Sequence, residues 1–150
     1  MIKKILIVLT ILITSCGYQP IYLNKNIKNF EFNKIITEGD DNINKQIINS
    51  VGLKESIYDD KLDTLLIKSN YKVEETSKNS EGQVETYRSS ISIDVLIKKN
   101  KEILKNESFV ESFTYNKKDN KFELSNYQDD IKDNLINKIL EEIILFLNMQ

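Results

Sequence analysis

Between Tyr87 and Lys98 the chain alternates with a period of two, and that run limits what the rest can fold into. Tyr87, Ser89, Ile91, Ile93, Val95 and Ile97 point one way, while Arg88, Ser90, Ser92, Asp94 and Lys98 point the other, with Leu96 the lone break. Successive side chains of a strand lie on opposite faces, so this pattern predicts a half-buried antiparallel strand with one wet face. Its apolar face needs a cover. The C-terminal stretch supplies one: Tyr127, Ile131, Leu135, Ile139, Leu140, Ile143, Ile144 and Leu147 recur at helical spacing. Lys132, Lys138, Glu141 and Glu142 make that helix too charged to cross a bilayer.

The other elements follow in order. Phe30, Phe32 and the Ile35-Ile36 pair, closing at Thr37, read as a first strand. Asp40 or Asp41 can cap a helix in which Ile43, Ile47, Ile48 and Val51 keep helical spacing until Gly52 stops it. Asp59-Asp60 marks a turn before a second strand, Leu65 to Val73, with Leu65, Ile67, Ser69, Tyr71 and Val73 on one face. After the alternating third strand, Lys99-Asn100-Lys101 turns the chain into a fourth, Ile103 to Tyr115. There Phe109, Phe113 and Tyr115 share a face that Glu111 interrupts. A polar loop, 116–120, leads to the final helix, with Ser125 or Asn126 as expected cap and Asp129, Asp130 and Asp133 near its positive end. The expected fold is α+β: about four strands and two helices in the order β-α-β-β-β-α, both helices on one sheet face. The other face, with Arg88, Ser90, Ser92 and Asp94, is wet or covered by a partner.

The N-terminus sets the compartment. Lys3 and Lys4 precede the short apolar run Ile5 to Ile13, far below the roughly twenty residues a spanning helix needs. Residues 1–15 therefore read as a signal peptide. Its ending, Ile13-Thr14-Ser15-Cys16, resembles the bacterial lipobox, in which the cysteine takes a diacylglycerol thioether and, after cleavage, an N-acyl chain such as palmitate. Cys16 is the sole cysteine of the 150 residues, so the lipid would leave no disulfide. On this reading 16–28 is a lipidated tether and 29–150 one α+β domain. Gly17 in place of an aspartate points to the outer membrane, periplasmic side. The formal charge is −2; losing Lys3 and Lys4 and blocking the new amine leaves −4, which argues against nucleic acid.

Catalytic patterns are missing. The chain has no histidine, hence no Ser-His or Cys-His pair, and it lacks the usual zinc ligands and any Gly-rich phosphate loop. The acidic doublets Asp40-Asp41, Asp59-Asp60, Glu74-Glu75, Asp129-Asp130 and Glu141-Glu142 sit at turns, helix starts or exposed helix faces. They read as caps and solvated charges. A hydrolase using Ser and Lys alone would need a strand-to-helix elbow that no Ser-x-x-Lys spacing accompanies. The expectation is a non-enzymatic protein without a cofactor or metal.

The order lipobox, Cys16-Gly17-Tyr18, short helix, strand, hairpin and long terminal helix resembles the LptE family of lipopolysaccharide-assembly lipoproteins. Gly82-Gln83 followed by Tyr87 is the most specific local match, and Phe109 and Phe113 before the last loop fit as well. The resemblance implies an outer-membrane lipoprotein seated in the lumen of the LptD β-barrel as plug and assembly subunit, touching lipopolysaccharide in transit. The family's ligand contacts are basic and lie at one end of the sheet. Strand topology should bring Lys78 to the end that carries Lys117, Lys118 and Lys121, with Arg88 below; these five form the candidate ligand-binding set. Glu75, Glu81 and Asp119 lie there too and dilute the field. Two plainer readings stand beside it: an envelope lipoprotein binding some other lipid or envelope component, and lysines that only keep loops soluble.

Overall fold

The computed structural model describes residues 30–56, 63–100 and 102–149. The expected signal peptide, the tether with Cys16, the Asp59-Asp60 turn and Lys101 lie outside them. The elements run β1 (Phe30–Phe32), β2 (Lys34–Gly39), α1 (Asp41–Val51), β3 (Leu53–Glu55), β4 (Thr64–Lys78), β5 (Val84–Lys99), β6 (Glu102–Asn116) and α2 (Lys121–Asn148). The main sheet has the order β2-β4-β5-β6, with β2 parallel to β4 and the remaining pairs antiparallel.

The α+β class, the four-stranded sheet and the pair of helices match the expectation, and three details correct it. The expected first strand is split at Asn33: β1 leaves to pair in parallel with β3, Phe30 opposite Leu53, and only β2 joins the main sheet. Three-residue strands are too short for alternation to reveal. The hairpin of β4 and β5 is longer than the apolar pattern, because backbone pairing continues past Val73 to Lys78, where no side chain is buried. Finally, α2 begins earlier than expected. Its cap is Asn120, whose side chain accepts from the N–H groups of Phe122 and Glu123, not Ser125 or Asn126. Asn120 with Glu123 three residues on is a capping-box spacing; as apolar residues the first turn holds only exposed Phe122 and half-buried Leu124, which the stripe read from Tyr127 onward leaves out.

The core lies between the sheet and the helices. Leu65, Ile67, Ile91, Ile93, Val95 and Ile97 are buried beneath Ile43, Ile47 and Val51 of α1 and Ile131 to Leu147 of α2. The alternation of β5 thus does what its period demands, and the opposite side chains Arg88 and Asp94 are exposed. Inside the core, the Ser89 hydroxyl lies 3.2 Å from the Tyr71 hydroxyl and 3.1 Å from that of Tyr115. This short chain satisfies a fully buried hydroxyl that would otherwise cost about 1–3 kcal/mol.

A compact knot fixes α1 against the sheet. Asp40 caps α1 through Oδ1, which accepts from Asn42 and Ile43. Its own N–H and carbonyl bond Ser69 of β4, and its Oδ2 accepts from Lys132 of α2 at 3.2 Å. Burial alone would raise the Asp40 carboxyl, but the Ile43 amide, the Lys132 ammonium and the Asn42 amide outweigh it and hold the group below its ordinary value. Gly39, one residue earlier, has φ +92°, and an added Cβ would stand 1.8 Å from the Ser69 carbonyl oxygen. No other residue fits there.

Two outcomes follow for stability. Gly39→Ala should cost about 3 kcal/mol or more, since positive φ and backbone overlap add. The measure is a lowered urea midpoint with an unchanged slope. For Asp40 the folded pKa lies below the unfolded one, so its contribution is present above the unfolded carboxylate range and lost as pH falls through the folded pKa. Asp40→Asn keeps the cap but removes the titration, so stability should fall less steeply than in the native chain below about pH 4. Equal slopes would show that titration of Asp40 carries none of it.

Candidate functional site

Two surfaces can receive a partner or ligand. The first is the sheet face that no helix covers. On it, register places Lys68 opposite Asp94 and Asp94 opposite Ser108, then Asn70, Ser92 and Val110, then Lys72, Ser90 and Ser112, then Glu74, Arg88 and Thr114. Half of these are short hydroxyl and amide side chains and the rest are charged but for exposed Val110; Ser108 donates to Asp94 and Arg88 to Thr114. The surface is flat and polar. At the β2 end it carries one apolar row, Ile36, Leu66 and Leu96.

The second surface is the end of the sheet where β4 turns into β5 and β6 runs into α2. Lys78 pairs in register with Val84, and the Lys117 amide donates to the carbonyl of Glu85 at 2.7 Å. The two lysines therefore flank β5 at one end, about 10 Å apart across two strand spacings. The topology expected from sequence places them so. The five basic residues nevertheless divide among surfaces. Arg88 lies on the open face, where its Nε donates to Thr114 at 3.2 Å. Lys118 is on the helix side, its ammonium 5.0 Å from the Tyr127 ring centre. Lys78 is ion-paired with Glu75 at 3.0 Å. Lys117 and Lys121 are exposed.

Sequence reasoning missed what lies beside these cations. Tyr87 stacks on Tyr115, Tyr115 stacks on Phe113, and Tyr127 meets Tyr115 edge-on, with ring centres 5.6–6.5 Å apart. Below this aromatic wall an open groove of about 430 Å³ runs between β6 and α2, lined by Phe113, Tyr127, Ile131, Leu135, Lys138 and Glu141 among others. Phe113 is exposed although it points to the helix side. The signal was the Glu111 interruption: β6 is an edge strand whose helix face is only half covered. Chemically, this end offers ammonium groups for anions next to an apolar trough, a combination that suits an amphiphile.

Among the described residues no cluster of His, Cys, Asp or Glu could hold a metal, and no helix is long and apolar enough to cross a membrane. No family model matches the chain, and no curated protein is similar to it in sequence. Solved structures are similar in fold. Rare lipoprotein B from Shewanella oneidensis is 10% identical over 77% of this chain and 94% of its own, with TM-score 0.59. An uncharacterized lipoprotein B from Nitrosomonas europaea is 7% identical over 84% and 88%, with TM-score 0.53. A minor lipoprotein from Acinetobacter baumannii is 13% identical over 79% and 92%, with TM-score 0.51. The chain has the fold that these bacterial lipoproteins share.

Proposed function

We propose that this protein is a non-enzymatic lipoprotein of the bacterial envelope, of the LptE type: anchored through acylated Cys16, seated in an LptD-type outer-membrane β-barrel as plug and assembly subunit, and touching lipopolysaccharide as it passes. The observation that carries the ligand half is Lys118, whose ammonium lies 5.0 Å from the ring of Tyr127, a residue that lines the groove with Phe113; Lys117 and Lys121 are its exposed neighbours in the chain. Lipopolysaccharide presents phosphates and acyl chains together, and this end offers a counterpart to each. For the barrel half, the uncovered hydroxyl-rich sheet face suits a polar lumen wall, and the lipoprotein names of the structural neighbours support an envelope setting.

The anchor is tested by Cys16→Ser. The expected product is an uncleaved chain held on the inner membrane, because a serine has no sulfur for the lipid thioether that precedes cleavage. Detergent phase partitioning and the mass of the mature N-terminus read it out; an unmodified mature N-terminus at another residue would sink the anchor.

The ligand site is tested by replacing Lys117, Lys118 and Lys121 together with glutamate. Lipopolysaccharide binding should fall about a hundredfold or more at low salt and depend less on ionic strength, while a large outer-membrane barrel still co-purifies. The same exchange at Lys45, Lys54 and Lys99, away from that groove, should leave binding near native. Equal loss from both sets would dismiss the site, and absence of the barrel from the native purification would dismiss the assembly role.

A further inference from the structure

Ser89 is the one wholly buried polar side chain on the inward row of β5. An isoleucine there would continue the apolar row of Ile91 and Ile93. The serine instead puts a hydroxyl between two others: that of Tyr71 on β4, at 3.2 Å, and that of Tyr115 on β6, at 3.1 Å. Replacing a buried hydrogen-bonded set by apolar groups of similar shape can be nearly neutral for stability. What the hydroxyls add is direction.

The two tyrosines differ in what they touch. The Tyr71 ring centre lies 5.0 Å from the Lys132 ammonium, beside the cap of α1. Tyr115 stands behind the groove. It is buried, and it meets Phe113 with planes 10° apart and Tyr127 at 90°, at ring-centre distances of 6.5 Å and 5.6 Å. Those two residues line the groove from opposite sides, Phe113 from β6 and Tyr127 from α2. Tyr115 is therefore the spacer between the walls. Packing alone lets an aromatic ring slide and tilt, whereas a directional bond at its hydroxyl fixes the far end. Through Tyr127 the same bond reaches a cation, because the Lys118 ammonium sits 5.0 Å from that ring.

We propose that Ser89 is a positioning residue of the groove: its hydroxyl, acting through Tyr115, sets the angle between Phe113 and Tyr127 and with it the place of Lys118. Ser89 itself touches no ligand. The inference rests on reading the groove as the lipopolysaccharide site.

The test uses the full acylated chain in detergent and purified lipopolysaccharide at low salt. Tyr115→Phe keeps the ring and removes its hydroxyl, Ser89→Ala removes the bridge, and Tyr71→Phe removes the hydroxyl on the side away from the groove. Tyr115→Phe and Ser89→Ala should each weaken binding about fivefold, the worth of one neutral hydrogen bond. The double variant should lose no more than either alone, since both remove the same bond. Tyr71→Phe should lose comparable stability in urea yet bind near native. The NMR signals of the Lys118 side chain, shielded by the Tyr127 ring, should move in Tyr115→Phe and stay in Tyr71→Phe. Native binding by Tyr115→Phe, or equal loss from Tyr71→Phe, overturns the proposal, because the hydroxyls would then serve the core alone. A native chain that does not bind lipopolysaccharide removes the site and this inference together. Binding that is lost on exchange of Lys117, Lys118 and Lys121 but kept by Tyr115→Phe and Ser89→Ala removes the inference alone.

Discussion

The burial of one face of one sheet governs this molecule. β5 places Ile91, Ile93, Val95 and Ile97 on the helix side at almost no exposure, and neither β4 nor β6 can cover that face, since neighbouring strands extend a sheet sideways. Only a second layer can. The long apolar stripe of α2 supplies most of it and α1 the remainder, and both helices are thereby confined to one side. The second face is left to water or to another molecule, and its short polar side chains suit either.

From this one-sidedness come the asymmetries that matter for function. The two helices meet through Lys132 and Asp40, which ties the α1 cap to the far element of the core. The helix layer does not reach the outer edge of β6, so Phe113 and Tyr127 line an open groove instead of a closed core. Because β4 and β5 outrun the helices, their turn projects beside the start of α2, and cations from three separate stretches of chain collect at one end. The other end gathers the chain entry, the bulged β5–β6 turn and the last turn of α2. The difference between the two ends thus arises from strand lengths and not from any single motif.

The proposed binding role agrees with where the fixed polar groups of the described residues are used. The chain's titratable groups are spread over exposed surfaces, and the well-fixed carboxylate, Asp40, is occupied as a cap and ion-pair partner. The buried hydroxyls of Tyr71, Ser89 and Tyr115 satisfy one another. The proposed role rests on the uncovered sheet face and on the open groove beside Lys118.

How much of this was legible in the residues differs by element. Period-two alternation declared β5, and helical spacing declared α2 and α1, because a single buried face repeats over many residues and leaves an unmistakable pattern. The neighbourhood of Lys78 and Lys117 was legible too, since antiparallel succession forces alternate turns to one end. Three things were not. The split at Asn33 into β1 and β2 depends on backbone pairing with β3, and three residues carry no period. The Asn120 cap precedes a turn in which Phe122 is exposed and only Leu124 touches the core, too little for periodicity to fix the helix start. Most of all, the division of Arg88, Lys118 and Lys78 among different faces, and the groove beside Lys118, were decided only by tertiary structure. Which side of a sheet a polar residue meets, and what stands next to it, depend on register and on where the covering helix ends, and neither is written in local sequence.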